Sequence, residues 1–263
     1  MSKCNKMQGC ICGSYIKRMS FMKQPVQTPQ FPNKRKPFFT ALKAVLKKLK
    51  PKLRLIDRNN GQAKPGIFIS NHCGTSAPFM IESYLPYSHH PWGAYQMNGN
   101  IVSRFKYLFH VLYRQKLHMA RVPAFLLALI VCPVSKGYYK GMGLISSYPD
   151  LRLKKTMRRS VEYLHDNVSI VIYPENSDEG YKDELTGLHG GFAMLSRVYE
   201  RKYHVDVPVY PVYFNKQTST MIVDTPTYIG DLRKQGMSQA DICEFFKNRI
   251  NNLRPLTMQT AEG

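Results

Sequence analysis

The sequence predicts an α/β protein: a single domain with a mixed, largely parallel sheet flanked by helices, preceded by a basic amphipathic helix. Three observations predict it. Short apolar runs of strand length, Gly66 to Ser70 (GIFIS), Val168 to Tyr173 (VSIVIY) and Val207 to Phe214 (VPVYPVYF), are separated by segments of helical periodicity. The 263 residues are 43% hydrophobic and 12% aromatic, enough for a sizeable core within one α/β domain. Charge is segregated: residues 1–58 hold 15 Lys or Arg against Asp57 alone, so of the formal net +21 this arm carries +14 and the remainder +7. Such a balance excludes wholesale disorder and favours anionic partners: nucleic acid, anionic lipid or acidic carrier proteins.

Residues 1–33 contain three prolines and no periodicity, and are expected to form a flexible N-terminal segment. In residues 34–58, Phe38, Leu42, Val45 and Leu49 recur at helical spacing while Lys43, Lys47, Lys48 and Lys50 fill the rest of the wheel, so Lys34 to Leu55 reads as an amphipathic helix ended at Pro51. It is either docked on its own domain or an interfacial anchor to an anionic membrane surface. Nucleic acid is the weaker partner, because no groove-reading or base-stacking motif accompanies the charge.

The α/β domain is expected over residues 59–254, with a tail at 255–263. After the Gly66 strand, Ala77 to Leu85 reads as a helix with Ser76 at its cap and Pro78 in its first turn. A strand follows at Trp92 to Met97, then a long helix at Ile101 to Leu117. Val122 to Val134 (VPAFLLALIVCPV) is shorter than the ~20 residues of a membrane-spanning helix and reads as a buried helix or strand or an interfacial segment, with a strand expected at Val131 to Val134. Helices are expected at Leu151 to His165, Leu188 to Arg201 and Gln239 to Leu253, and a sheet-edge strand at Met221 to Ile229.

Cys4, Cys10, Cys12, Cys73, Cys132 and Cys243 are too few and scattered for a disulfide framework, and the start has no apolar core of signal-peptide length. A reducing, cytosol-facing compartment is therefore expected. Cys4, Cys10 and Cys12 have no nearby His and make a poor zinc set.

In α/β sheets, chemistry gathers where strands end. The first apolar strand ends in Ser70-Asn71-His72-Cys73-Gly74-Thr75-Ser76, placing His72 between a strand and a helix start, where an imidazole can act as general base. The strand Val168 to Tyr173 runs into Pro174-Glu175-Asn176-Ser177-Asp178-Glu179, and Glu175, Asp178, Glu179, Asp183 and Glu184 form an acidic cluster in a basic protein. Cys73 reads as a packing residue, since neighbours in an extended segment point to opposite sides and His72 would not activate it.

The pair Asn71-His72 after FIS, Tyr173-Pro174-Glu175 after VSIVI about 100 residues later, and then VPVYPVYF resemble the glycerolipid acyltransferase superfamily that includes 1-acylglycerol-3-phosphate acyltransferases. That family carries N-H-x4-D, F-I/V-x-R, F-P-E-G-T-R and V-P-V-x-P-V motifs, and the resemblance covers about Gly66 to Phe214. It implies membrane-associated lipid metabolism: His72 takes the proton of an acceptor hydroxyl as it attacks an acyl thioester of coenzyme A or acyl carrier protein. Asn71, Pro174 and Glu175 match, Glu175 as an acceptor-site carboxylate, and Gly191 falls where the family often has a Gly opening the following helix. This chemistry needs a base and an oxyanion donor, and neither metal nor redox cofactor.

The departures are specific. Ala77 stands where the family has the Asp that orients the histidine, and Asp178 or Glu179 are the expected substitutes, with Ser76 able to hydrogen-bond. The family's middle-motif Arg aligns with Lys136, and the Arg of F-P-E-G-T-R with Asp178, an acid where an acceptor phosphate would be received. Asn176, Ser177 and Lys136 remain as substrate-binding candidates, and a neutral or amine-bearing lipid acceptor is expected. The alternatives are a lipid-binding protein on the same fold that has lost its chemistry, and a nucleic-acid-binding domain.

Overall fold

The computed structural model describes Arg35 and residues 37–48, 52–176 and 180–259. Helix α1 (Pro37–Lys48) leads to strands β1 (Arg54–Asp57) and β2 (Ile67–Ser70), helix α2 (Ser76–Tyr84) and β3 (His89–Ala94). After a short 3-10 turn (Tyr95–Asn98) comes α3 (Ile101–Lys106), capped by the Asn100 side chain on the Ser103 N–H and continued by a wider π-helical extension (Tyr107–Lys116). Then follow α4 (Arg121–Gly141), β4 (Ile145–Ser147), α5 (Leu153–His165), β5 (Ser169–Ile172) and α6 (Gly191–Tyr203). The chain closes with β6 (Pro208–Asn215), β7 (Thr220–Val223), β8 (Thr227–Tyr228), α7 (Ile229–Lys234), α8 (Gln239–Asn251) and α9 (Arg254–Gln259).

The sheet order is β1-β7-β6-β2-β5-β3-β4, with β8 pairing β6. Pairs within β6, β2, β5, β3 and β4 are parallel; β7 and β8 run antiparallel to β6. The sheet is thus mixed and largely parallel, with helices on both faces. Alternation along the strands divides the core. Ile67 and Ile69 face one layer with Ile170, Ile172, Phe192 and Phe246, and Phe68 faces the other with Val171, Val212, Met80 and Ile81.

Several elements differ from sequence expectation. Val131 to Val134 is not a strand: it lies within α4, whose buried stripe Ala124, Ala128, Cys132 and Ser135 has helical spacing. The apolar stretch is buried along that stripe alone; Val122, Leu126, Leu129 and Ile130 are exposed. Helix α1 is observed over Pro37–Lys48, and Arg54–Asp57, expected at its end, is a strand paired with β7. Since β7 has β6 on its other side, the sheet edge is β1 and the Met221 strand is interior. Residues 255–259, expected in the tail, belong to α9 (Arg254–Gln259), whose buried Thr257 hydroxyl accepts from the Asn215 amide at 2.7 Å.

Helix α1 is docked on its own domain. Phe39 is fully buried against Tyr138, with ring centroids 5.4 Å apart, over Gly141, where a Cβ would collide with its ring. Beside it lies Glu82 of α2. Its carboxylate accepts from Arg35 at 2.9 Å, and Lys43 (3.5 Å) and His89 (3.4 Å) also face it. Arg35 donates in addition to the carbonyls of Met142 (2.6 Å) and His89 (2.7 Å). Burial would raise the Glu82 carboxyl, but the hydrogen bond and charge of His89, with Arg35 and Lys43, outweigh it and hold it below the usual carboxylate range. Removing one partner of such a buried cluster leaves the others uncompensated. Glu82→Ala is expected to cost about 3 kcal/mol in urea denaturation; a loss under ~1 kcal/mol would mean that the cluster holds nothing in place.

Candidate active site

Because β2, β5, β3 and β4 run parallel, the loops at their C-terminal ends share one edge of the sheet. Asn71, just past β2, is buried, and its side chain prolongs the pairing with β6. The amide donates to the Phe214 carbonyl at 2.9 Å, and the side-chain oxygen accepts from the Phe214 N–H at 2.8 Å. The next residue, His72, donates its backbone N–H to Glu175 Oε2 at 2.9 Å; the other oxygen, Oε1, accepts from the Lys182 N–H at 3.4 Å. The buried Glu175 therefore ties the β2 loop to the β5 loop. Its carboxyl is raised by burial, against the lowering influence of these two bonds and Lys116.

Cys73 and Gly74 both have positive φ, 43° and 68°. This left-handed pair turns the Gly74 carbonyl back to accept a hydrogen bond from His72 Nδ1. A carbonyl can only accept, so Nδ1 carries the proton and Nε2 bears the lone pair. Among the described residues nothing hydrogen-bonds Nε2. The ring stacks on Tyr181 (4.4 Å, 17°) and tilts against Tyr173 (5.0 Å, 59°). Burial outweighs the Gly74 hydrogen bond and, with the charge of Lys116, lowers the imidazole to about 4. His72 is thus a neutral base of fixed tautomer at physiological pH. Ala77 is fully buried among apolar side chains, and among the described residues the partner of Nδ1 is the Gly74 carbonyl. Burial, then the Asp183 charge, push the Cys73 thiol up, and its side chain packs against the apolar layer under α2.

His72 and Glu175 face a cavity of about 980 Å³ between the strand ends, α2, the π-helical extension and α4. Seven of its lining residues are tyrosines (95, 107, 138, 139, 148, 173 and 181), joined by Phe79 and Trp92. Lys116, with its ammonium 5.3 Å from the Tyr181 ring centroid, is the one Lys or Arg among the described lining residues. Burial raises the hydroxyls of Tyr138, Tyr139, Tyr173 and Tyr181, which stay protonated and can donate.

Of the residues singled out in the sequence, His72, Pro174 and Glu175 line this cavity. Asn71 is committed to the β6 backbone, and Asn176 is exposed with its N–H on the Gly187 carbonyl at 3.1 Å. Ser76 is the first residue of α2 rather than its cap: the cap is Thr75, with no side-chain cap bond, and Thr75 lines the cavity where Ser76 does not. Lys136 is exposed on α4, outside the lining residues, because the segment read as a strand end is mid-helix. Ser177, Asp178 and Glu179 lie outside the described residues, as do Cys4, Cys10 and Cys12. Gly191 opens α6 and lines the cavity, its Cα facing Trp92. Lys116, Tyr181, Tyr138 and Trp92 were not singled out by sequence, since only tertiary packing brings them to the strand ends. No group of three His, Cys, Asp or Glu suited to a metal ion occurs among the described residues.

No family model matches the chain, and no curated protein matches it. Among solved structures, the 1-acyl-sn-glycerophosphate (LPA) acyltransferase PlsC from Thermotoga maritima is similar over 83% of this chain and 76% of that one, with 11% identity and a TM-score of 0.47.

His72 and His90 are both lowered by burial from 6.5 to about 4, His90 with help from Arg35. The unfolded chain therefore binds more protons between these values, and stability rises with pH there. The contribution is full above pH 6.5 and is lost as pH falls toward 4. Urea midpoints should fall steadily from pH 7 to 4.5, and less steeply in His90→Gln; midpoints independent of pH would contradict a neutral buried pair.

Proposed function

We propose that this chain is an O-acyltransferase that moves a fatty acyl group from a thioester of coenzyme A or acyl carrier protein to a hydroxyl of a lipid acceptor, on the cytosolic face of a membrane. The observation that carries this reading is His72: neutral, locked through Nδ1 on the Gly74 carbonyl, with Nε2 available beside an aromatic cavity. The resemblance of the Asn71-His72 and Tyr173-Pro174-Glu175 segments to acyltransferase motifs supports it.

In the reaction, Nε2 removes the acceptor hydroxyl proton as the oxygen bonds to the thioester carbonyl carbon. The tetrahedral intermediate collapses, the carbon–sulfur bond breaks, and the imidazolium returns its proton to the departing thiolate. Tyr173 and Tyr181, whose rings lie against the imidazole and whose hydroxyls stay protonated, are the donors we assign to the developing oxyanion. With no carboxylate on Nδ1 among the described residues and Lys116 opposing a second positive charge, the imidazolium is poorly stabilised, so turnover is expected to be slow.

The acceptor in this reading is neutral or amine-bearing. A lining of seven tyrosines with one ammonium suits the face of a sugar or a choline-like cation better than a phosphate, which calls for arginine. The same missing carboxylate favours a second reading, a lipid-binding protein on this fold that performs no transfer.

Acyl transfer from a labelled thioester to lysophosphatidate, glycolipid and amino-lipid acceptors separates the two. The expected result is product with a neutral or amine-bearing acceptor, abolished in His72→Ala. Tight acceptor binding without product would leave the binding protein. Gly74→Ala, forced to a φ of 68°, should lower kcat about tenfold or more with little change in KM, whereas Asp178→Asn with Glu179→Gln should leave transfer in place. Loss of transfer in that double variant would return the orienting role to the acidic loop.

A further inference from the structure

The outer face of α4 and α3 is apolar, and nothing among the described residues covers it. On α4, Val122, Leu126, Leu129, Ile130 and Val134 are exposed, Ile130 to 71%. On α3, Ile101 and Val102 are exposed beside it, the Ile101 carbonyl accepting from the Cys132 thiol of α4 at 3.3 Å. The surface continues onto α1, where exposed Phe38 packs on Gly137 of α4. Isolated exposed aliphatics are ordinary, but a contiguous run over two helices marks an interaction surface.

Charge says what covers it. Residues 83–149, the segment that holds both helices, contain seven Lys or Arg and no Asp or Glu. Outside it and the N-terminal arm, 16 basic residues balance 16 acidic ones, so the whole +7 of the chain beyond residue 58 belongs to this segment. Five of its cations, Lys106, Arg114, Arg121, Lys136 and Lys140, are exposed on α3, its π-helical extension and α4, the last three on α4 itself. An apolar face accompanied by cations with no acids is complementary to an anionic bilayer, whose headgroups meet the cations while the acyl region receives the aliphatics. A second copy would oppose cation to cation. The chain's own first 34 residues have the same defect, with six Lys or Arg and no acid.

We propose that this α3 and α4 face is the surface by which the protein lies on an anionic membrane, with α4 in the plane of the interface. Helix α4 has the length and composition to cross a bilayer, but its Ala124, Ala128, Cys132 stripe is packed on the domain, so it lies rather than spans. Its inward side contributes Tyr138 and Tyr139 to the cavity beside His72, so docking brings that cavity to the lipid surface. The docking surface stands whether or not the acyl-transfer reading holds, and it is tested without a transfer assay.

The experiment uses the full chain. Flotation with vesicles of phosphatidylcholine alone and of phosphatidylcholine with 30% phosphatidylglycerol tests binding, wild type against the triple variant Leu126→Gln, Leu129→Gln, Ile130→Gln. All three positions are exposed, and a thermal melt checks that the variant is folded. Independently, Ile130→Trp and Val205→Trp are compared for quenching by brominated lipid; Val205 precedes β6, at the opposite edge of the sheet from His72. Binding is expected to anionic vesicles, weakened about tenfold in the triple variant, with quenching gained at position 130 and not at 205. Absence of vesicle binding, undiminished binding by the folded triple variant, or binding without quenching at 130 would each overturn the proposal. So would a lipid-free dimer that the triple variant dissolves, which would make the face a contact between copies. Transfer lost in His72→Ala with vesicle binding intact would confirm that the two readings are independent.

Discussion

The site depends on one carboxylate. Glu175 accepts the His72 N–H through one oxygen and the Lys182 N–H through the other, joining the loops after β2 and β5 across the parallel pair they leave. A backbone N–H donates to each of its oxygens and the charge of Lys116 acts on it as well, so the acid fixes geometry besides carrying charge. Directly beside that fixed point lie the left-handed turn at Cys73 and Gly74, the return of the Gly74 carbonyl, and the stacking of the imidazole against Tyr181. The turn also fixes the histidine's tautomer with no carboxylate on Nδ1 among the described residues. A carbonyl fixes the tautomer as well as a carboxylate does, but it brings no net charge to meet a proton.

Much of the fold was legible because the central strands are buried on both faces and therefore read as unbroken apolar runs, as in IFIS, SIVI and PVYPVYF. The flanking strands were not. RLID and ISS are short, partly polar and partly exposed, and only their pairing with β7 and β3 makes them strands. Helix α4 was misread for the opposite reason: apolar nearly all round, it hid the Ala124, Ala128, Cys132, Ser135 stripe that marks its inward side, while Pro133 lies on its exposed face.

The site divides in the same way. His72 and Glu175 could be read because strand ends carry chemistry whatever the surrounding helices do. Lys116 comes from the end of a π-helical extension and Tyr181 from a loop, and no spacing in the chain relates either to position 72. The orienting carbonyl belongs to Gly74, whose role rests on a dihedral angle rather than on a side chain. Lys136 and Ser76 lie outside the cavity lining, one mid-helix on the surface and the other a position past the cap.

Strand β1 pairs only with β7, and Arg58 meets Asp224 across 166 positions of chain at 3.1 Å. Contacts of such sequence separation form slowly and only after loop closure. On a ribosome the sheet edge therefore stays open until β7 has emerged, by which time the apolar α4, about 80 residues earlier, is already outside the exit tunnel. Between those two moments the nascent chain presents its most exposed apolar helix without its finished scaffold, which is the interval in which it is most prone to aggregate.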